Sequence, residues 1–170
     1  MKKLILTITT IAIFAFATQT TAQNQDVVDI AASNKSFSTL VTAVKAAGLV
    51  DALKGEGPFT VFAPTNDAFG KIDQNTLSAL LKPENKSKLT AVLTYHVIKG
   101  KLTASDVVAA LKKGKGKVTL TTLSGSKITV VQNDKGIWLK DANGNYSMIS
   151  KTDIMASNGV IHVIDTVVMP

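Results

Sequence analysis

Val160 to Met169 is apolar at every position except His162, Asp165 and Thr166. A strand with one wet face alternates apolar and polar residues, because successive side chains leave opposite faces of the sheet. This segment can offer neither face to water, so it belongs in the middle of a sheet covered on both sides. It is expected to be the most protected element of the fold.

The rest of the chain supplies what must cover it. Phe37, Leu40, Val41, Val44 and Ala47 recur at helical spacing, with Ser36 as expected N-cap and Gly48 as stop. Leu89, Val92, Leu93 and His96 share a second helical stripe that begins after Pro83, with Asn85 as its expected cap. Thr103 and Asp106 form an approximate capping box for a third helix, whose buried face is Val107, Val108 and Leu111. Between the first two, the Gly57-Pro58 turn launches a strand, Phe59 to Ala63, with few polar positions.

From Lys117 onward the period changes to two: Val118 and Leu120 alternate with Thr119 and Thr121, and Ile128 and Val130 with Thr129. Residues 133–136 and 141–144 read as turns, the second as a type I′ hairpin on Asn143-Gly144. No repeat, low-complexity tract or linker interrupts the pattern. The class is α+β, one domain, helix-rich first and strand-rich second.

The N-terminus has the layout of a secretory signal peptide. Met1-Lys2-Lys3 is positive, Leu4 to Ala17 is apolar apart from threonines, and Thr20-Thr21-Ala22 provides small residues before a cut. The apolar run is short for a membrane span. Cleavage after Ala22 divides the chain into a signal peptide, 1–22, and a domain, 23–170. No stable membrane insertion is expected after cleavage, and the destination is the periplasm or the outside of the cell. With no cysteine in the chain, the fold depends on its own core. The net charge is +7, and every basic residue is Lys. The lack of Arg weighs against nucleic acid, whose guanines and phosphates favour the bidentate guanidinium. Diffuse attraction to anionic surfaces or acidic glycans remains.

Chemistry is hard to find. Ser124-Gly125-Ser126-Lys127 fits Ser-x-x-Lys, but lies in a turn and lacks the Lys-Thr-Gly and Ser-Asp-Asn partners. Lys113 to Lys117 alternates Lys and Gly without phosphate-loop spacing. Asp141-x-Asn143-x-Asn145 begins like a calcium loop, but Tyr146 replaces the required Gly and Thr152 the bidentate carboxylate. His96 and His162 are embedded in apolar sequence and read as buried, hydrogen-bonded structural residues. The polar turn Thr65-Asn66-Asp67 is the expected partner of His96. No enzyme activity, metal or cofactor is expected.

Residues 59–69, Phe-Thr-Val-Phe-Ala-Pro-Thr-Asn-Asp-Ala-Phe, Tyr95-His96-Val97, and residues 158–165, Asn-Gly-Val-Ile-His-Val-Ile-Asp, resemble in order the signature segments of the fasciclin domain. Leu123-Ser124-Gly125 and Ile128-Thr129-Val130 also sit where that family places a turn and strand. The resemblance runs from about Asp26 to Pro170. It implies a wedge-like β-sandwich of about seven strands, with helices mainly from the N-terminal half. It also implies a non-enzymatic adhesion module that binds surface or matrix proteins, polysaccharides or further copies of itself. In animal matrix members, the Tyr-His segment and an Asp-Ile pair are associated with integrin recognition. Those positions are Tyr95, His96, Val97 and Ile98, and Asp153 and Ile154. Lys151-Thr152 stands where the animal motif has an acidic residue and proline, and Lys99 where a proline is common. The alternative is a carrier of a small apolar ligand or glycan, which would need a deep pocket of several hundred Å³.

Overall fold

In the computed structural model, which describes residues 25–170, the chain runs through helices first. These are α1 (Val27–Ser33), α2 (Ser38–Ala47) and α3 (Val50–Lys54), then strand β1 (Phe59–Pro64), α4 (Asn66–Gly70), α5 (Gln74–Leu80) and α6 (Lys86–Tyr95). β2 (Val97–Lys99) and α7 (Ala104–Lys113) follow, and then β3 (Lys117–Thr121), β4 (Lys127–Asn133), β5 (Gly136–Lys140), β6 (Tyr146–Ala156) and β7 (Gly159–Ile164). The expected cut after Ala22 lies outside the described residues.

The seven strands form one sheet in the order β2-β1-β7-β6-β5-β4-β3. β7 lies between β1, to which it is parallel, and β6, to which it is antiparallel. All six of its residues are buried, as its two-sided apolar sequence requires. It stops at Ile164 rather than running on to Met169; Asp165 turns away and accepts the Met148 N–H through its side chain.

β6 is the shared strand. Tyr146 to Met148 pair with β5, Ile149 to Ala156 pair with β7, and irregularities in register on either side of Lys151 accompany the change of partner. The sheet bends over on itself, and its two edges approach: Leu123, just past β3, donates its N–H to Val97 of β2 at 2.7 Å. This nearly closes a barrel and gives the expected α+β architecture.

Two cores result. One lies between the N-terminal helices and the β1–β7 face and contains Phe37, Val44, Leu93, Val61 and Ile161. The other fills the space inside the bend and contains Phe62, Tyr95, Leu111, Val130 and Ile164. Alternate residues of β1 serve the two, which is why Phe59 to Pro64 has no exposed position.

Several local expectations are corrected. Ser36 lies inside a 3-10 turn, Lys35–Phe37, whose cap is Asn34. The start of α2 is served instead by Asn66, whose Oδ1 accepts from Thr39 N–H at 3.0 Å and from the Ser38 hydroxyl at 3.2 Å. Asn85 precedes α6 without a capping side chain; its amide donates to Ala79 C=O. The Thr103–Asp106 box is present at α7, but Val107 and Leu111 are buried while Val108 is half-exposed. At 141–145 only Gly144 has positive φ, so the loop is a type I turn followed by a left-handed Gly rather than type I′. Asn143 is not in the left-handed region that type I′ requires.

Gly159 marks a close approach of the β1 and β7 backbones. A Cβ there would overlap the carbonyl oxygen of Phe59 on the parallel neighbour. Gly159→Ala is therefore expected to lower stability by about 1–3 kcal/mol through forced separation of β1 and β7. Urea melts test this, and an unchanged midpoint would show that the pair can yield.

Candidate functional site

The Tyr-His segment is interior. Tyr95, His96, Val97 and Ile98 are 0, 2, 3 and 4% exposed. Tyr95 enters the core within the bend and donates its hydroxyl to Lys127 C=O at 3.0 Å. Burial pushes its phenol pKa above the usual value.

Both ring nitrogens of His96 are used. Val168 N–H points at Nε2 at 3.3 Å, and Nδ1 lies 2.8 Å from Val92 C=O. A backbone donor at Nε2 and a carbonyl at Nδ1 fix the neutral ring with its proton on Nδ1. Burial lowers its pKa to about 4, with the Val92 carbonyl opposing. The expected bond from residues 64–67 is not the one formed. Thr65 is the N-cap of α4, and Asn66 serves α2, whose own N-cap, Phe37, has no side-chain acceptor. The first and central signature segments are nonetheless joined, through the main chain: Phe62 N–H donates to His96 C=O at 2.9 Å.

His162 is the complementary case. Its Nδ1 accepts the Asp153 N–H at 3.4 Å, and its Nε2 faces Leu102 C=O at 2.8 Å, so the proton sits on Nε2. Its ring also packs against Phe62 at 5.8 Å between centroids. One buried imidazole thus ties β7, the irregular part of β6 and the approach to α7 together.

Asp153 is exposed and has φ +59°, an uncommon conformation for a residue other than Gly. Its Oδ1 accepts from Ala104 N–H at 2.8 Å and so closes the start of α7; no donor among the described residues meets Oδ2. Ile154 is half-buried. It pairs with Ile161, which pairs with Val61, which pairs with Val97. The two sets of candidate residues are therefore opposite ends of one row across four strands, about 14 Å apart at the usual strand spacing. They do not meet in one patch.

Asn158 was not singled out from sequence. Its Oδ1 accepts from Val27 N–H, its amide donates to Leu53 and Gly55 C=O, and its own C=O accepts from Phe59 N–H. One side chain fastens α1 and the end of α3 to the β6–β7 turn. Asn-Gly reads locally as a turn, so the signal for these long-range bonds is absent from the pattern. Asp141 is likewise structural: its carboxylate accepts from Asn145 and from Met169 N–H.

The hollow beneath α1 and α2 is lined by Val28, Leu40, Val44, Phe62 and Ile161 among others, reaches His96, and has an internal volume of about 40 Å³. A larger hollow of about 410 Å³ lies open and polar beside Pro58, Lys101 and Asn158. Buried polar side chains are all hydrogen-bonded among the described residues.

A nearly closed, helix-covered barrel whose histidines and internal carboxylate are committed to main-chain bonds defines a structural domain of the fasciclin type. The chain belongs to the fasciclin domain family, whose model matches residues 35–170. It is 49% identical to Protein sll1483 of Synechocystis over 85% of this chain and 73% of that one. It is 34% identical to immunogenic protein MPB70 of Mycobacterium bovis over 86% of this chain and 70% of that one. It is also 36% identical to pig transforming growth factor-beta-induced protein ig-h3, covering 85% of this chain and 19% of that longer protein. The fold matches a solved FAS1 domain pair from the insect cell adhesion molecule fasciclin I, with TM-score 0.74 and 22% identity over 86% of this chain and 51% of that one. The family is known in adhesion proteins.

Proposed function

We propose that this chain is a secreted, non-enzymatic adhesion module that engages a surface or matrix protein or polysaccharide after loss of residues 1–22. The observation that carries the reading is the commitment of its polar interior: both ring nitrogens of each histidine already hold backbone groups. A general base or nucleophile needs a free position facing substrate. Adhesion needs only a rigid surface. Fasciclin I, with the same fold, is a cell adhesion molecule.

On this reading Asp153 and Ile154 are the residues that a protein partner touches, through the carboxylate oxygen left over from α7. Tyr95, His96, Val97 and Ile98 act from inside by holding β2 against β1. The carrier alternative needs several hundred Å³ of enclosed apolar space, against the 40 Å³ beneath α1.

Asp153→Gly tests the assignment, since Gly accepts the positive φ while the carboxylate is lost. Capture of surface proteins by the immobilised domain is expected to fall at least tenfold in Asp153→Gly, with the fold retained by circular dichroism. Undiminished capture would remove Asp153 from the contact.

A further inference from the structure

The solvent face of the β3–β6 half of the sheet combines aromatic, apolar and basic side chains. Lys117, Val131, Trp138 and Met148 lie opposite one another across four strands. The neighbouring row is Thr119, Thr129, Lys140 and Tyr146, and Lys127 follows on β4. Val131, Trp138 and Met148 pack against neither core. The only Trp of the chain therefore lies on an outer face, where a folding requirement does not place it.

The aromatics are held. The Trp138 indole N–H donates to Asn133 Oδ1 at 3.0 Å, which fixes the ring, and the Lys140 ammonium stands 5.5 Å from the Tyr146 ring centre. Trp138 and Tyr146 are diagonal neighbours, about 7–8 Å apart by strand geometry. The charge is of one sign: Lys117, Lys127 and Lys140 are on this face, and β3, β4, β5 and residues 146–150 of β6 contain no Asp or Glu.

We infer that this face binds an acidic polysaccharide, a chain of pyranose rings bearing carboxylates. Sugar rings present C–H groups to the electron-rich faces of the Trp138 and Tyr146 rings. The three ammonium groups attract the carboxylates as mobile point charges, and Thr119 and Thr129 offer hydroxyls between them. The open outer face of the barrel suits an extended polymer, which needs no enclosed pocket. The inference rests on the adhesion reading and names the partner class for one surface of it.

Affinity electrophoresis through gels containing polygalacturonate or dextran tests it. The wild-type domain is expected to be retarded by polygalacturonate and not by dextran. Trp138→Ala/Tyr146→Ala and Lys117→Gln/Lys127→Gln/Lys140→Gln should each weaken that binding at least tenfold. A control with equal charge loss on the helical side, Lys45→Gln/Lys82→Gln/Lys88→Gln, should stay within twofold of wild type. The lysine variant keeps both aromatic side chains and every core residue, so it keeps the test valid if the aromatic pair proves necessary for folding. Equal loss in the control would reduce the effect to diffuse net charge and overturn the site. So would equal retardation by dextran, or no retardation of wild type by polygalacturonate. A domain that captures surface proteins but ignores polygalacturonate removes this inference alone; one that captures neither removes the adhesion reading as well.

Discussion

Ile164→Ala is expected to lower the unfolding free energy by about 2–5 kcal/mol. Ile164 is 0% exposed and is the last residue of β7, paired with Pro64 of β1 on one side and Ile149 of β6 on the other. Its side chain enters the core inside the bend, beside Phe62, Tyr95 and Leu139. Truncation removes three carbons' worth of burial and leaves space that two hydrogen-bonded neighbours cannot close without shifting the sheet. The upper half of the range follows from that rigidity, because cost rises with the cavity that remains. Urea melts followed by far-ultraviolet circular dichroism measure it directly. A change below half a kcal/mol would mean that β7 is not the centre of the folded unit. The same centrality predicts that amides of Val160 to Ile164 exchange only on global unfolding.

The centre of the sheet is legible in the sequence because its signal is local. Six residues of β7 and six of β1 lack a polar face, and only a doubly covered strand tolerates that. The alternation from Lys117 onward is equally local, as are the Thr103–Asp106 box and Gly48, whose φ of +70° ends α2. What escapes notice depends on partners far along the chain. Asn66 reads as part of a turn, yet serves a helix start 27 residues earlier. Asn158 stands in the sequence only as the first residue of a signature segment, yet holds Val27, 131 residues away. The partner of His96 is missed for the same reason: the stripe Leu89-Val92-Leu93 points it inward, but nothing local says that the C-terminal segment will fold back to offer Val168 N–H at 72 residues' separation. Short helices α1, α3, α4 and α5 are missed because five to seven residues carry too little periodicity. Asp153 and Ile154 come from resemblance alone, and the positive φ of Asp153 has no sequence signature beyond the tolerance of Asp for that region.

Acid should loosen the domain well before its carboxylates titrate, and His96 is the reason. In the fold its pKa is held down to about 4 by burial; in the unfolded chain it returns to about 6.5. Between these values the unfolded state binds a proton that the native state refuses, so stability rises with pH across the window. The contribution is complete above about pH 6.5 and is lost as pH falls toward 4, for a total of about 3 kcal/mol. The chemistry agrees with the sign, because a proton on Nε2 would face the Val168 N–H that now donates to it. Below that window Asp165 adds a separate loss. Burial opposes its ionisation, but Met148 N–H, the Thr166 hydroxyl and Lys71 together hold its pKa beneath the usual value. The two effects are separable with His96→Gln, whose amide can still accept from Val168 but does not titrate. Wild-type unfolding free energy, measured in urea at intervals from pH 7 to pH 4, should fall by about 3 kcal/mol more than that of His96→Gln. Parallel curves for the two proteins would mean that the imidazole takes up its proton without leaving the core, and that the Val168 contact does not hold the neutral ring.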